Sequence, residues 1–248
     1  MVLVFFAALL GFLVGVSGAG LGGVAAGLWP TVTRQQQSML MGVSGGIMLG
    51  VVIWDLFPEA WNLSPVHTLT GMTSGALFLL VLRQLDQETT GPIEDARFRK
   101  AGRLLGLGIA LHNFPEGLAV GTVFAHDPSS ALWWRLSLLM ALHNIPEGMA
   151  VATTLRLGKT KWGSIIRTLF WAEGPMAIGA FLGGVLGQIA TPWSATALGF
   201  AGGAMLILVL VEMIPLAIRL AGWPSAFAGL ALGAGSARLL ILFLTARV

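Results

Sequence analysis

The sequence returns repeatedly to stretches of 18 or more residues with scarcely a charge, and this limits the fold more than any other feature. A helix needs roughly 20 apolar residues to cross the hydrocarbon core of a bilayer. Eight candidate spans follow, at about 2–29, 38–62, 66–83, 104–125, 131–155, 164–188, 194–218 and 224–246. Charged residues make up only 10% of the chain, against about 25% in a soluble domain, so the chain cannot cover itself with a solvated surface. The first span has no basic residue ahead of its apolar run and continues far past signal-peptide length, so it is expected to be a retained helix. Only 84–103 breaks the pattern, with Asp86, Glu88, Glu94, Asp95, Arg97, Arg99, Lys100 and Arg103. It is read as a solvated loop, and 1–248 as a single polytopic domain.

Charge placement sets the expected topology. Arg34, Arg83, Arg97, Arg99, Lys100, Arg103, Arg156, Lys159, Lys161, Arg167 and Arg219 fall on one side of the alternating spans. The other side has Arg135 and Arg247, while Arg238 lies within the last span. Cytoplasmic connections carry the excess of Lys and Arg. Eleven against two therefore predicts both termini outside the cytoplasm and the long loop inside. The pI near 10.2 is then a topology signal, and nucleic acid is not an expected partner. Cysteine is absent, which excludes disulfides and thiolate metal sites.

Ionisable residues inside such spans are costly and usually functional. Residues 110–122 read ALHNFPEGLAVGT and residues 141–153 read ALHNIPEGMAVAT, ten of thirteen positions alike. The copies lie in consecutive spans that must run antiparallel, the architecture of inverted-repeat transporters. His112 and Glu116 are four apart, as are His143 and Glu147, so each pair shares a helix face. His112 lies nine residues from Arg103 and Glu116 thirteen, while Glu147 lies nine from Arg156 and His143 thirteen. The motifs therefore meet level near the bilayer centre, each His opposite the other helix's Glu. Two imidazoles and two carboxylates suit a borderline divalent ion. Pro115 and Pro146 free carbonyls at Leu111 and Leu142 as further oxygen donors. Asn113 and Asn144 could bind a neighbouring ion, and Glu173, six residues from Arg167, is at a depth to join from a third helix.

Three acids mark a candidate pathway. Asp55, 21 residues from Arg34, is expected near the outer mouth with Glu59 and His67 at the rim; Glu212, seven from Arg219, falls in the cytoplasmic third. Asp55 and Glu212 each precede a proline by three, Pro58 and Pro215, which hints at a second inverted relation between early and late spans. His126 and Asp127 are assigned to the outer loop. Gly42-x-x-x-Gly46-x-x-x-Gly50 and Gly179-x-x-x-Gly183-x-x-x-Gly187 mark close helix contacts, within the bundle or in a homodimer.

His112-Asn113-Phe114-Pro115-Glu116-Gly117, followed by His143-Asn144-Ile145-Pro146-Glu147-Gly148, resembles the ZIP (Zrt/Irt-like) metal transporters, in particular their bacterial ZupT/GufA-like branch. The resemblance implies eight helices and a binuclear site between the fourth and fifth. His112, Glu116, His143 and Glu147 would form the primary site. Asn113, Asn144 and Glu173 would form the second, sharing Glu116, with Glu147 as a further candidate bridge. Many members have Asp where this chain has Asn144 and Gln where it has His143. The family's third connection is often His-rich, whereas 84–103 contains no His. The expectation is thus an all-α protein of the bacterial cytoplasmic (inner) membrane, moving Zn²⁺, or Fe²⁺, Cd²⁺, Mn²⁺ or Co²⁺, inward as cargo. No prosthetic group is expected. Emptying the site would leave Glu116 and Glu147 to take up protons. An intramembrane metallohydrolase would show His-Glu-x-x-His on one helix, and neither motif has that second His. A metal-gated channel or sensor is left open.

Overall fold

A computed structural model of the chain describes residues 2–29, 33–85, 94–129, 132–189 and 191–245. They are almost wholly helical: α1 (Val2–Leu28), α2 (Arg34–Val51), α3 (Phe57–Leu63), α4 (Pro65–Leu85), α5 (Glu94–His126), α6 (Leu132–Leu157), α7 (Trp162–Ile189), α8 (Thr191–Leu208) and α9 (Ile214–Thr245). The start of α2 is fixed by Thr33 and Gln36, which cap each other's backbone N–H groups. Among the described residues, five helical stretches are long and apolar enough to cross a membrane: Val2–Leu28, Arg34–Leu63, Trp162–Leu186, Pro192–Val211 and Ile214–Phe243. Their outward faces carry Phe5, Phe6, Leu9 and Leu13 on α1 and Leu232, Leu239 and Phe243 on α9, all exposed. This is an all-α membrane protein.

Two elements differ from the sequence expectation. Residues 94–103 are not loop but the first turns of α5, which runs 33 residues. At 1.5 Å per residue that is about 50 Å, longer than the hydrocarbon core of about 30 Å, so a charged helical end can stand beyond it. Residues 86–93 of the expected loop lie outside the described residues. The last helix, conversely, is divided at Ala221 and Gly222, where φ reaches +79° at the glycine. That left-handed geometry is open to glycine without the steric penalty a side chain would bring.

Two five-residue π turns, Val52–Leu56 and Val209–Met213, join α2 to α3 and α8 to α9. In each, the closing N–H reaches back five residues, from Phe57 to the carbonyl of Val52 and from Ile214 to that of Val209. Pro58 and Pro215 follow two residues after each turn. A proline ring crowds the carbonyl four residues earlier, here Trp54 and Val211, and widening the turn relieves it. The paired sequence echo thus corresponds to a paired distortion, with Asp55 and Glu212 each in the fourth position.

Glycine decides which helices pair. The most extensive contacts are α5 with α7, α2 with α9, α4 with α8 and α1 with α6. In the first three pairs both partners present two glycines four apart: Gly117 and Gly121 to Gly179 and Gly183, Gly42 and Gly46 to Gly229 and Gly233, Gly71 and Gly75 to Gly199 and Gly203. In the fourth, Gly18 and Gly22 of α1 meet the α6 backbone from Ala141 to Met149, and Gly148 meets Ala19. A Cβ at these positions would run into facing backbone carbonyls, so backbone lies directly on backbone. Residue numbers rise together along all four contacts, so each pair runs parallel. Both stripes noted in the sequence are engaged inside the bundle, Gly42–Gly46 by α9 and Gly179–Gly183 by α5, and lend no support to a homodimer.

The pairs also exchange with one another. Swapping α1 with α7, α2 with α8, α4 with α9 and α5 with α6 turns α1·α6 into α5·α7, α2·α9 into α4·α8, and α5·α8 into α2·α6, all contacts that occur.

Gly233→Ala should test the backbone contact, because its Cβ would meet the Val43 carbonyl, while Gly235 on the same helix has nothing within 4 Å. Thermal unfolding in detergent should show Gly233→Ala destabilised by about 1–3 kcal/mol and Gly235→Ala unchanged or slightly stabilised. Equal behaviour of the two would mean that close approach does not hold this pair.

Candidate metal centre

α5 brings Asn113 and Glu116 into the bundle, α6 brings His143, Asn144 and Glu147, and α7 brings Glu173. Asn113, Glu116, His143 and Asn144 are 0% exposed, Glu147 and Glu173 1%. His112 stands one turn before Glu116 on α5, but its side chain lies outside the described residues.

The facing halves of the repeat touch. His143 Nε2 lies 2.9 Å from Glu116 Oε1, the His-opposite-Glu relation expected from depth. The other ring nitrogen, Nδ1, lies 3.1 Å from the Leu139 carbonyl. A carbonyl only accepts, so Nδ1 carries a proton there and Nε2 is aimed at the cluster, the orientation in which imidazole serves as a metal ligand. Asn113 Nδ2 donates to Glu173 Oε2 at 2.8 Å and to the Ala172 carbonyl at 2.9 Å. This seats Glu173 beside the repeat.

Ser44 was missed in the sequence. Its hydroxyl, on α2 and fully buried, donates to Glu147 Oε1 at 2.5 Å. The available signal was a hydroxyl within Gly42-Val43-Ser44-Gly45-Gly46, which reads as a packing stripe. The glycines of α1 are the other missed wall. A Cβ at Gly15 would strike Glu173 Oε2, and one at Gly18 would come within 2.7 Å of Asn144 Cβ.

Several buried atoms have no hydrogen-bond partner among the described residues: Asn113 Oδ1, Glu116 Oε2, and Oδ1 and Nδ2 of Asn144. Buried polar atoms are normally satisfied, and carbonyl and carboxylate oxygens of this kind are ones that a cation can take as ligands. Among the described residues no group of three His, Asp or Glu stands in metal-holding geometry. The carboxylates bond instead to His143, Ser44 and Asn113, so a cation would have to replace these bonds.

The outer acids take separate places. Asp55, 5% exposed, lies 3.6 Å from Arg135 at the start of α6. Glu59 lines a polar cavity with Thr122, His126, Asp127 and Ser194. His126 is the last residue of α5 and lines this cavity, where the sequence suggested loop. His67 is exposed and bonded to Ser64 at 2.8 Å. Glu212 lies in the second π turn, with its side chain outside the described residues. At the opposite end Arg156 donates to the Ala26 carbonyl and Arg99 to that of Gly158 at 3.0 Å, tying the chain near the end of α1, the start of α5 and the end of α6 together.

The sequence model of the family described as ZIP Zinc transporter matches residues 84–241, which include both copies of the repeat and Glu173. The chain belongs to the ZIP family. Zinc transporter ZupT of Escherichia fergusonii is 31% identical over 195 residues, 71% of this chain and 73% of that protein. ZupT of Chlorobium limicola is 31% identical over 139 residues, 47% of the chain and 52% of that protein. Zinc transporter ZTP29 of Arabidopsis thaliana is 29% identical over 130 residues, 44% and 47%. The chain thus spans about half the length of the latter two relatives.

In this ZIP protein two α1 substitutions should separate ligand placement from packing. Gly15→Ala meets only the flexible ends of Glu173 and Met176, whereas Gly18→Ala meets the Ala141 carbonyl. Gly15→Ala should keep near-native thermal stability yet lower the stoichiometry or affinity of Zn²⁺ binding by calorimetry. Gly18→Ala should lower stability by about 1–3 kcal/mol. Unchanged binding in Gly15→Ala would remove Glu173 from the site.

Proposed function

We propose that this protein carries divalent transition-metal ions, Zn²⁺ foremost and Fe²⁺, Cd²⁺, Mn²⁺ or Co²⁺ as alternatives, across the bacterial cytoplasmic membrane into the cytoplasm. The observation that carries this reading is the burial of Asn113, Glu116, His143, Asn144, Glu147 and Glu173 on α5, α6 and α7, with His143 against Glu116 and Asn113 against Glu173. Metal is drawn to the outer mouth by Asp55 and Glu59 and sheds water. It displaces the His143–Glu116 and Ser44–Glu147 hydrogen bonds and is held by His112, Glu116, His143 and Glu147. Asn113, Asn144 and Glu173 hold a second ion, bridged by Glu116. The ion then leaves past Glu212. A divalent charge in hydrocarbon is offset by the two central carboxylates, and its departure returns them to hydrogen bonds or protons.

Eight spans with both termini outside the cytoplasm fit the helix pairs. Counting the chain as eight alternating crossings, with Arg34–Leu63 as the second and the part of α9 after Gly222 as the last, the glycine contacts join crossings 1·5, 2·8, 3·7 and 4·6. Each such pair must run parallel, as these contacts do. The exchange of contacts supports an inverted repeat built on the whole chain, with 1–248 as one domain. The names of the ZupT relatives favour zinc as the cargo, and borderline imidazole and carboxylate donors agree with it.

Uptake of radioactive Zn²⁺ into proteoliposomes tests the reading. Wild-type protein should show saturable uptake, with Fe²⁺, Mn²⁺ and Cd²⁺ competing. Glu116→Ala and His143→Ala should each lower it by at least about tenfold. Undiminished uptake in both variants, properly folded, would show that the cluster is structural and the pathway lies elsewhere.

A further inference from the structure

Arg135 is out of place on two counts. It is one of two basic residues on the side that the charge bias assigns to the outer connections. It also sits in the first turn of α6, where the positive end of the helix dipole disfavours a cation. Its compensation is Asp55, with Arg135 Nη2 3.6 Å from Asp55 Oδ1. The side chains are 12% and 4% exposed, so the pair is largely withdrawn from water. It is nevertheless incomplete. Arg135 Nε and Asp55 Oδ2 are both buried without a hydrogen-bond partner among the described residues. An arginine kept only for stability would be expected to grip a carboxylate through both oxygens. Here one carboxylate oxygen is left for something else, and the carboxylate is carried on a π turn, a distortion common at functional sites.

The location gives the arrangement a use. Arg135 precedes His143 by eight residues on α6, about 12 Å along the helix. Between them, Leu136 and Met140 of α6 join Met48 of α2 and Val52 of the first π turn in one buried apolar cluster. An ion coming from the outer mouth therefore meets Asp55 before this apolar layer and the central ligands after it.

We propose that Arg135 is a tethered competitor for Asp55: its guanidinium holds the position on the outer carboxylate that an incoming divalent cation must take, and so sets the metal concentration at which transport begins. The proposal rests on the transport reading above. A monovalent ion offers Asp55 no more charge than the guanidinium already does, whereas a divalent ion does, so the pair also favours divalent cargo. Displacement swings Arg135 away from Asp55 towards the outer water, which its position at the start of α6 allows.

The test uses full-length protein, with Zn²⁺ uptake in proteoliposomes and Zn²⁺ titration by calorimetry in detergent. Arg135→Gln should lower the KM for uptake roughly three- to tenfold at near-unchanged maximal rate. In an Asp55→Asn background the same change should leave KM where it is, because the competitor has nothing left to compete for. A purely structural ion pair predicts the opposite pattern: loss of rate and stability in either single variant, restored when both charges are removed. If Arg135→Gln does not fold, Arg135→Lys, which keeps the charge but loses the planar fork, should shift KM the same way by a smaller factor. An unchanged or raised KM, or the same fall without Asp55, overturns the proposal. Wild-type protein without saturable uptake would instead defeat the transport reading. The titration then decides on the competitor by itself: tighter Zn²⁺ binding in Arg135→Gln, abolished by Asp55→Asn, sustains it, and equal binding ends it.

Discussion

A carboxylate inside a bilayer protein has to be met by something, and the bundle is arranged around meeting three of them. Glu116, Glu147 and Glu173 are at most 1% exposed. Each touches a different donor from a different helix: His143 on α6, Ser44 on α2 and Asn113 on α5. An isolated buried charge is prohibitively costly, whereas a hydrogen-bonded one is tolerable. These contacts therefore hold α2, α5, α6 and α7 together at the same depth. The partners are also modest ones, and they leave an oxygen of Glu116 and the amide of Asn144 unsatisfied among the described residues. A site that binds and releases an ion needs such partners, strong enough to support the carboxylates in its absence and weak enough to give way.

The second requirement is that the helices come close enough for short side chains to reach. In membranes, association depends on packing and polar contacts rather than on water exclusion, and large side chains would hold backbones apart. Glycine removes that obstacle. Gly117 and Gly121 set α5 onto α7, which is why Asn113 can reach both the side chain of Glu173 and the carbonyl of Ala172. Gly15 and Gly18 hollow α1 so that Glu173 and Asn144 fit beneath it. The zipped pairs all run parallel, which keeps motifs at matched depth once the depth of one helix is set.

Irregular backbone is concentrated where chemistry is expected. The two π turns hold Asp55 and Glu212 in corresponding positions after α2 and α8, and each is followed two residues on by a proline. Pro115 and Pro146, by contrast, sit inside continuous helices without a π turn. The same residue type thus distorts the helix ends of the candidate path and leaves the central motif regular, so that the four-residue spacing of His and Glu is preserved there.

Much of this is legible in the sequence. Apolar length and charge asymmetry gave the membrane class, since both follow from chain composition and bilayer thickness alone. The duplicated His-Asn-x-Pro-Glu-Gly, with its depth measured from Arg103 and Arg156, predicted that His143 would face Glu116. That inference needs only helical rise and antiparallel direction. The same arithmetic brought Glu173 level with the repeat, and Asn113 of the repeat bonds to it. Partners were another matter. No one-dimensional pattern says that Ser44 lies under Glu147, that Gly15 makes room for Glu173, that His126 shares a cavity with Glu59, or that Arg135 reaches Asp55, because each depends on which helices are neighbours and how they are rotated. Nor does it show that 94–103 would stay helical, since a charged segment is solvated equally well as loop or as helix. The sequence by itself determined that these residues are helical, lie in apolar spans and carry donors of a kind that suits a metal, because periodicity, hydropathy and donor chemistry are local properties. Only the tertiary structure decided which carboxylate is held by which donor, because that is set by backbone contact between helices far apart in the chain.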